Sequence, residues 1–167
     1  MTALIIRCET PDDIDEIEAV TASAFLDAPH ASHSEHLILA ALRDAGALSI
    51  SLVAEMDGII VGNIAVSPVF ISDGTAGWFG IGPVSVIPQR QGQGIGSQLM
   101  RQVLKRLSEQ RASGCVVLGD PAYYQRFGFN CDVNLVLPGV PPEYFMALSF
   151  TELTPTGTVT YHHAFSA

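Results

Sequence analysis

Residues 84–97 read Val-Ser-Val-Ile-Pro-Gln-Arg-Gln-Gly-Gln-Gly-Ile-Gly-Ser, and this stretch decides the fold. Glycines at 92, 94 and 96 lack the Cβ atoms that would keep an anion away from the backbone N–H groups. From Ile95 onward the apolar residues recur with helical spacing and form one stripe of Ile95, Leu99, Val103 and Leu107. The stretch therefore predicts a strand, a glycine loop and the start of a helix.

The charge pattern around this loop is unusual for an acidic chain with a formal net charge of -9. No Asp or Glu occurs between Asp73 and Glu109, so the first helical turn lacks the carboxylate that helix N-termini often carry. Five of the eight Lys and Arg residues lie in the loop and helix, namely Arg90, Arg101, Lys105, Arg106 and Arg111. We interpret Arg101, Lys105 and Arg106 as the solvated face of an amphipathic helix, and the loop as a phosphate cradle.

Composition indicates a compact globular protein, since 48% of the 167 residues are hydrophobic and 15% are charged. We expect a single domain over residues 1–167 and a cytoplasmic location, because no signal-peptide pattern or membrane-spanning apolar run is present. The pI of about 4.7 argues against sequence-independent nucleic-acid binding and is compatible with a cationic partner.

Cysteine and histidine do not indicate a metal site or disulfides. Cys8, Cys115 and Cys131 are widely spaced, and we expect them to be small buried hydrophobic residues. Three histidines, at 30, 33 and 36, invite a metal interpretation. However, Ser34 is a good helix cap and Glu35 follows it, so we expect exposed loop and helix residues and no metal.

The remaining pattern predicts a short strand from Leu4 and a helix starting at Thr10-Pro11-Asp12-Asp13. The first helix should bury Ile14, Ile17, Val20 and Ala24, and a second helix should run through Leu37, Ala40 and Ala41 to Asp44. We then expect strands at 49–55 and 59–71 joined by a tight turn, a central strand at 77–86, and the loop helix ending at Gly114. A strand at 115–118 returns after a crossover, which requires a parallel pair. A short helix at 122–127 and strands at 135–137, 144–150 and 158–165 follow, the last two as a closing hairpin.

These residues resemble the GCN5-related N-acetyltransferase (GNAT) family. The run from Gln91 to Gly96, Gln-Gly-Gln-Gly-Ile-Gly, matches its Q/R-x-x-G-x-G/A acetyl-CoA motif, and Tyr124 stands four residues before the pair Gly128-Phe129. The run Leu-Gly-Asp-Pro from Leu118 is similar to a branch of predicted acetyltransferases related to YhbS. The resemblance implies an α/β (α+β) GNAT fold, with a mixed, mostly antiparallel central sheet, a splayed parallel pair and about four flanking helices.

The same resemblance implies an N-acetyltransferase that moves the acetyl group of acetyl-CoA directly to an amine. Tyr124 would be the general acid that protonates the leaving thiolate, and a backbone N–H near Val84 would polarise the thioester. Pro83, which lacks an N–H, is expected to help separate the central strand from the strand at 115–118. The residues expected to bind the CoA are Val84, Ser85 and Val86 beside the pantetheine arm, and Gln91, Gly92, Gln93, Gly94, Ile95, Gly96 and Ser97 around the pyrophosphate. Tyr123 is expected to pack.

Other interpretations of the glycine loop are weaker or stay open. A nucleotide P-loop would need a Lys that is absent, and a dinucleotide-binding fold would need a third glycine where Ser97 stands. A non-catalytic acyl-CoA sensor of the same fold remains the alternative to an enzyme. The general base is also open among Glu55, Asp73 and Asp120, since each has an ordinary turn or strand-end role. We expect the acceptor to be a small-molecule or peptide amine, with a small amine, an antibiotic, a peptide N-terminus and a protein lysine all open, and edge strands near the C-terminus are compatible with a homodimer.

Overall fold

The computed structural model describes residues 3–26 and 33–166. The helices in this part of the chain are α1 (Ile14–Phe25), α2 (Glu35–Asp44), α3 (Ile95–Glu109) and α4 (Pro121–Tyr124). Its strands are β1 (Leu4–Cys8), β2 (Ile50–Met56), β3 (Ile59–Ile71), β4 (Trp78–Val86), β5 (Gly114–Leu118), β6 (Leu135–Val136), β7 (Phe145–Ser149) and β8 (Gly157–Tyr161). None of the helices in the described ranges is both long and apolar enough to cross a bilayer.

The strands form one mixed sheet in the order β1-β2-β3-β4-β5-β7. The pairs along this path are antiparallel except for β4 and β5, which α3 connects as a crossover. The strand β8 pairs antiparallel with the end of β3, and the short β6 pairs parallel with β8. The predicted mixed sheet with a parallel pair and about four helices is therefore confirmed.

The parallel pair separates after three residues of each strand. The last paired residues are Gly80 and Val116, and we call this point the fork. Beyond it Gly82 and Pro83 together stand opposite the single Ala65 of β3, which is a β-bulge. The bulge turns β4 away from β5, so a gap opens between the two strands toward their C-terminal ends. The predicted splay is present, and Pro83 lies in the bulge.

Helices cover both faces of the sheet. On one face, α3 buries Leu99, Val103 and Leu107 in the main hydrophobic core against β2, β3 and β5. On the other, α1 and α2 contribute Ile17 and Leu39 to a second cluster. A third cluster joins the β6, β7 and β8 region to Trp78 and Val116, whose side chains project from the sheet on the side opposite α3. Packing on both sides holds the separated strands in place.

Two predicted elements are corrected by the structure. The closing hairpin is wrong, because β7 pairs with the free edge of β5 and β8 pairs with β3 instead. The helix α3 ends at Glu109 rather than at Gly114, which is already part of β5. Arg111 takes the left-handed conformation that ends the helix, with φ of 60°, and the Ala112 N–H donates to the Leu107 carbonyl.

The predicted burial also differs at several positions. In α1 the buried residues include Ile17 and Val20, as predicted, whereas Ile14 and Ala24 are only half-buried. In α2, Ile38, Leu39 and Leu42 are buried, but Leu37 is 58% exposed, because a short helix with apolar residues on several sides leaves its inward face undetermined. Cys115 is buried as expected, whereas Cys8 and Cys131 are exposed, so that prediction fails for two of the three cysteines.

A partly buried ionic network fixes the first strand to the helices. Arg7 of β1 donates to both oxygens of Asp13 at 2.7 and 3.1 Å and to Glu55 of β2 at 3.1 Å. Asp13 also accepts from the backbone N–H of Thr10 at 2.7 Å, which closes the turn that begins α1. The hydrogen bonds from Arg7, together with those from Thr10, hold the pKa of Asp13 well below its usual range.

We expect Asp13→Asn to lower the free energy of unfolding by about 1–3 kcal/mol at pH 7, because it removes charged hydrogen bonds from a buried carboxylate. The pKa of Asp13 is lowered in the folded state. The Asp13 carboxylate therefore makes its full contribution to the free energy of unfolding above about pH 3.9, which is its pKa in the unfolded chain. That contribution is lost as the pH falls below this value. Urea denaturation between pH 7 and pH 3 should show the difference between wild type and variant shrinking below about pH 4.

The exposed neighbour Asp12 provides the matched control, since Asp12→Asn changes the same charge in the same turn. We expect little change in stability for this control. A pH-independent difference between Asp13→Asn and wild type would contradict the role assigned to the ion pair.

Candidate functional site

The glycine loop leads directly from the separated end of β4 into α3. Gly92 and Gly94 have φ of 78° and 85°, a conformation that other residues rarely adopt, and a Cβ at either position would meet no atom within 4 Å. Gly94 is the N-cap of α3, and no side chain caps the helix. The N–H groups of Ile95, Gly96 and Ser97 therefore begin the helix without an intrahelical acceptor. The loop presents an open set of N–H donors at the positive end of a helix dipole.

A cleft of about 310 Å³ lies over this loop. Arg90 lines one part of it, and Arg126, which follows α4, lines another. The Arg126 guanidinium stacks on the ring of Tyr123, with 4.7 Å from Cζ to the ring centroid. Two cations and the helix N-terminus thus surround the same space. Arg126 was not among the residues predicted to bind, although its place two residues after Tyr124 was the available signal.

The other basic residues of α3 do not line this cleft. Arg101 lies over the ring of Phe127 at 5.5 Å, Lys105 pairs with Glu109 at 3.8 Å, and Arg106 contacts the Cys8 sulfur at 3.3 Å. Arg101 and Lys105 are exposed, as expected for the solvated face of an amphipathic helix, whereas Arg106 is half-buried against β1.

The free edge of β4 faces the gap. The Ile87 N–H donates to the Val61 carbonyl of β3, and backbone groups alternate in direction along an antiparallel strand. Ser85 therefore also points its backbone toward β3, where its partner is Asn63, whereas Val84 and Val86 point theirs toward the gap. The Gln91 side chain donates to the Val86 carbonyl at 2.9 Å and so ties the glycine loop to this edge.

Ser85 is the predicted binding residue that the structure does not bring to the gap. Its side chain is 1% exposed, and its hydroxyl has no hydrogen-bond partner among the described residues. Because backbone groups alternate in direction along the strand, Val84 and Val86 present their N–H and carbonyl groups to the gap, whereas those of Ser85 face β3 and its side chain is buried.

Tyr123 and Tyr124 turn in different directions from the short helix α4. The Tyr123 hydroxyl lies 3.1 Å from the Ser97 hydroxyl and lines the glycine-loop cleft, so Tyr123 does more than the packing predicted for it. The Tyr124 ring packs into the main core, 6.1 Å from the centroid of Phe129. A Cβ on Gly119 would come within 2.6 Å of the Tyr124 ring, so this approach requires glycine.

The environment of Tyr124 keeps its phenol protonated. Burial raises the pKa of Tyr124 to about 12, with smaller contributions from Tyr123 and Asp120. Tyr124 is therefore a neutral hydrogen-bond donor throughout the ordinary pH range.

A third tyrosine, which the sequence analysis treated only as part of a strand, lies at the fork. The ring of Tyr161 from β8 covers Gly80, where an added Cβ would lie 3.3 Å from the Tyr161 Cε1 atom. The Tyr161 hydroxyl is buried and has no hydrogen-bond partner among the described residues. Burial, followed by the neighbouring Tyr124 and Cys115, raises the pKa of Tyr161. No local sequence signal marks this residue, because β8 reaches the fork only through its pairing with β3.

The acidic residues considered as a general base occupy different places. Glu55 pairs with Arg7, and Asp73 accepts from the backbone N–H groups of Thr75 and Thr156 in a turn. Asp120 caps α4 through the Ala122 N–H at 3.0 Å and is the one of the three that adjoins Tyr124.

The histidine cluster provides no metal centre in the described ranges, where no three His, Cys, Asp or Glu side chains could hold an ion together. His33 is exposed, His36 is half-buried, and His30 lies outside the described residues.

A second cleft, of about 630 Å³, opens at the C-terminal end of β5. Its lining is mainly apolar, with one carboxylate, and consists of Leu118, Gly119, Asp120, Val140, Pro141 and Tyr144. Leu118 lies two residues beyond Val116 and so projects from the same face, opposite α3. Gly119 joins this cleft to the ring of Tyr124.

Comparison with known proteins agrees with this geometry. The family model described as an acetyltransferase (GNAT) domain matches residues 47–131, which include the fork, the glycine loop and Tyr124. The uncharacterized N-acetyltransferase YhbS of Escherichia coli K12 is 34% identical over 170 residues, covering 98% of this chain and 99% of YhbS.

Two solved structures extend the similarity to three dimensions. A GNAT family acetyltransferase from Brucella melitensis, crystallised in complex with acetyl-CoA, has 47% identity and a TM-score of 0.88, with 98% of each chain covered. Escherichia coli YhbS in complex with CoA has 32% identity and a TM-score of 0.91, covering 100% of this chain and 94% of that one. The resemblance drawn from the sequence motifs is confirmed.

Proposed function

Because the chain belongs to the GNAT family of acetyltransferases, we propose that it transfers the acetyl group of acetyl-CoA to an amine acceptor. The observation that carries this proposal is the glycine loop at the open end of the β4–β5 gap, since a set of phosphate donors follows directly after a free strand edge. The similar Brucella melitensis protein was crystallised with acetyl-CoA. We regard residues 1–167 as one acyl-CoA N-acyltransferase domain.

The CoA pyrophosphate would lie against the N–H groups of residues 91–97, where the helix dipole and two guanidinium groups favour negative charge. Arg90 and Arg126 line the same cleft and supply those groups. The pantetheine arm would then run down the gap as an additional strand beside Val84 and Val86. Its acyl end would reach toward the fork, because the loop is at the open end and the strands meet at the other.

The reaction would proceed by direct attack of a neutral amine nitrogen on the thioester carbonyl carbon. The N–C bond forms and a tetrahedral oxyanion develops, stabilised by a backbone N–H near Val84. The C–S bond then breaks, and the sulfur takes the phenolic proton of Tyr124 while the amide nitrogen gives up its own proton to restore the phenol. Acetylated amine and CoA thiol are the products.

The raised pKa of Tyr124 defines its part in this step. A phenol with a pKa of about 12 is a weaker acid than a thiol with a pKa of about 8.5. Complete transfer of the phenolic proton to the thiolate is therefore energetically unfavourable at this pKa. We therefore propose that Tyr124 donates a hydrogen bond to the sulfur and completes the transfer only as the amide nitrogen returns a proton. The apolar surroundings strengthen such a hydrogen bond.

The acceptor would occupy the apolar cleft at the end of β5, which reaches Tyr124 through Gly119. Asp120 is the one charged residue in its lining and is placed to attract a cation. This combination favours an amine carried on an apolar or aromatic body, either a small molecule or the end of a peptide. Asp120 would also be near enough to accept the proton that an ammonium acceptor loses before attack.

The direct test is acceptor-dependent release of CoA thiol from acetyl-CoA across a panel of amines. We expect release with monoamines that have aromatic or branched apolar bodies, and at least about tenfold slower release with linear polyamines, which leave cations against apolar side chains. The thiol is measured with a chromogenic disulfide, and the acetylated amine by mass spectrometry. Binding of acetyl-CoA without release by any amine in a broad panel would instead favour the non-catalytic sensor.

We predict that Gly94→Glu weakens CoA binding by at least about tenfold, because it adds bulk and a negative charge where the pyrophosphate would lie. Isothermal titration calorimetry measures the affinity. The matched control is Gly74→Glu, since Gly74 has the same φ of 85°, and its added Cβ also meets no atom within 4 Å. The control carries the same backbone strain and charge in a distant turn, so equal affinity losses in both variants would argue against the cradle.

Tyr124→Phe should reduce turnover by about 10²-fold or more while leaving the affinity for acetyl-CoA nearly unchanged. The hydroxyl is needed only when the C–S bond breaks, whereas the ring continues to pack. Steady-state kinetics and calorimetry separate the two quantities. Tyr123→Phe is the matched comparison, because it removes the neighbouring hydroxyl that contacts Ser97. A larger loss of turnover in Tyr123→Phe than in Tyr124→Phe would indicate that Tyr123, and not Tyr124, is the general acid.

A further inference from the structure

The Tyr161 hydroxyl is a buried polar group without a described partner, and it needs a physical explanation. Nearly all such groups in folded proteins form a hydrogen bond, since leaving one unsatisfied costs free energy. The Tyr161 oxygen has none within the described residues. Its ring is well held, because it packs against Gly80 on one strand and against Phe165 with a centroid distance of 5.2 Å. The hydroxyl therefore has a defined position and an unused donor.

That position is the closed end of the gap. Tyr161 pairs with Val69 of β3, and its side chain extends over β4 to reach Gly80. Gly80 is the last residue of β4 that pairs with β5, so the hydroxyl end of the ring lies at the fork. An added Cβ at position 80 would lie in tight contact with the Tyr161 ring, at 3.3 Å from Cε1, so glycine favours this approach.

We infer that the Tyr161 hydroxyl is a second catalytic group, which donates a hydrogen bond to the acyl carbonyl oxygen of the thioester at the fork. The inference rests on the proposed function, in which the acyl end of acetyl-CoA reaches that point. An acetyl thioester brings only one hydrogen-bonding oxygen there, and that oxygen accepts but cannot donate. Burial keeps Tyr161 protonated, so the two groups are complementary.

The two tyrosines would then divide the work. When the amine nitrogen attacks, the carbonyl π electrons move to the oxygen, and the hydrogen bond from Tyr161 strengthens as negative charge develops. When the intermediate collapses, those electrons return, the C–S bond breaks, and the sulfur receives its proton from Tyr124. Tyr161 keeps its own proton throughout.

Calorimetry with three ligands tests this assignment without an acceptor. CoA lacks the acyl group, and the thioether S-ethyl-CoA has a similar chain but lacks the carbonyl oxygen. We expect wild type to bind acetyl-CoA more tightly than S-ethyl-CoA. Tyr161→Phe should reduce that preference by about fivefold, as the loss of one net hydrogen bond provides, and leave the affinities for CoA and S-ethyl-CoA unchanged within about twofold.

Two further measurements separate a catalytic from a structural role. Tyr161→Phe should be at least as stable to heat as wild type, because it removes a hydroxyl that has no partner among the described residues. Its turnover with an amine identified in the panel should fall by about 10²-fold, the usual effect of losing one oxyanion donor.

A preference for acetyl-CoA that Tyr161→Phe leaves undiminished, or an equal loss of affinity for all three ligands, would overturn the inference. If the variant does not fold, calorimetry on the wild-type protein still tests the inference, because equal wild-type affinities for acetyl-CoA and S-ethyl-CoA would also overturn the inference. Wild-type protein that binds none of the three ligands would refute the proposed function itself, and the inference with it.

Discussion

The separation of β4 from β5 is the constraint on which the rest of the molecule depends. The strands are in close contact at the closed end, where a Cβ on Gly114 would come within 2.5 Å of the Trp78 ring. Four residues after Trp78 the bulge at Gly82 and Pro83 directs β4 away. Backbone groups that would normally pair with β5 are left facing the gap. An open strand edge inside a folded protein is costly unless a ligand pairs with it.

The packing on both faces makes this open arrangement stable. The helix α3 and the main core hold β4 from one side, while the cluster around Trp78, Val116 and Val159 holds β5 and β8 from the other. Because both strands are fixed by side chains rather than by each other, the gap does not close. The same helix that supports β4 also presents its N-terminus to the open end of the gap. Support and anion attraction therefore come from one element.

The groups proposed to act at the gap come from parts of the chain that are distant in sequence. The glycine loop and the helix α4 approach it from the side of α3, whereas Tyr161 and the apolar cleft at the end of β5 lie on the opposite face. In the proposed reaction, the donor and the acceptor would reach the thioester from opposite sides of the sheet. Such an arrangement keeps the anionic CoA phosphates away from the carboxylate of Asp120, which would otherwise repel them.

The sequence by itself determined the local features: the glycine loop, the start of α3, the parallel crossover and the position of Tyr124 in α4. Each depends on residues close together in the chain, where backbone conformation and periodicity act directly. Only the tertiary structure decided that β7 and β8 take the free edges of β5 and β3, that Arg126 joins Arg90, and that Ser85 turns away from the gap. Strand partners and edge directions depend on which hydrogen-bonding groups are free after the rest has packed. Tyr161 illustrates this, because nothing beside it in the sequence connects β8 to the fork.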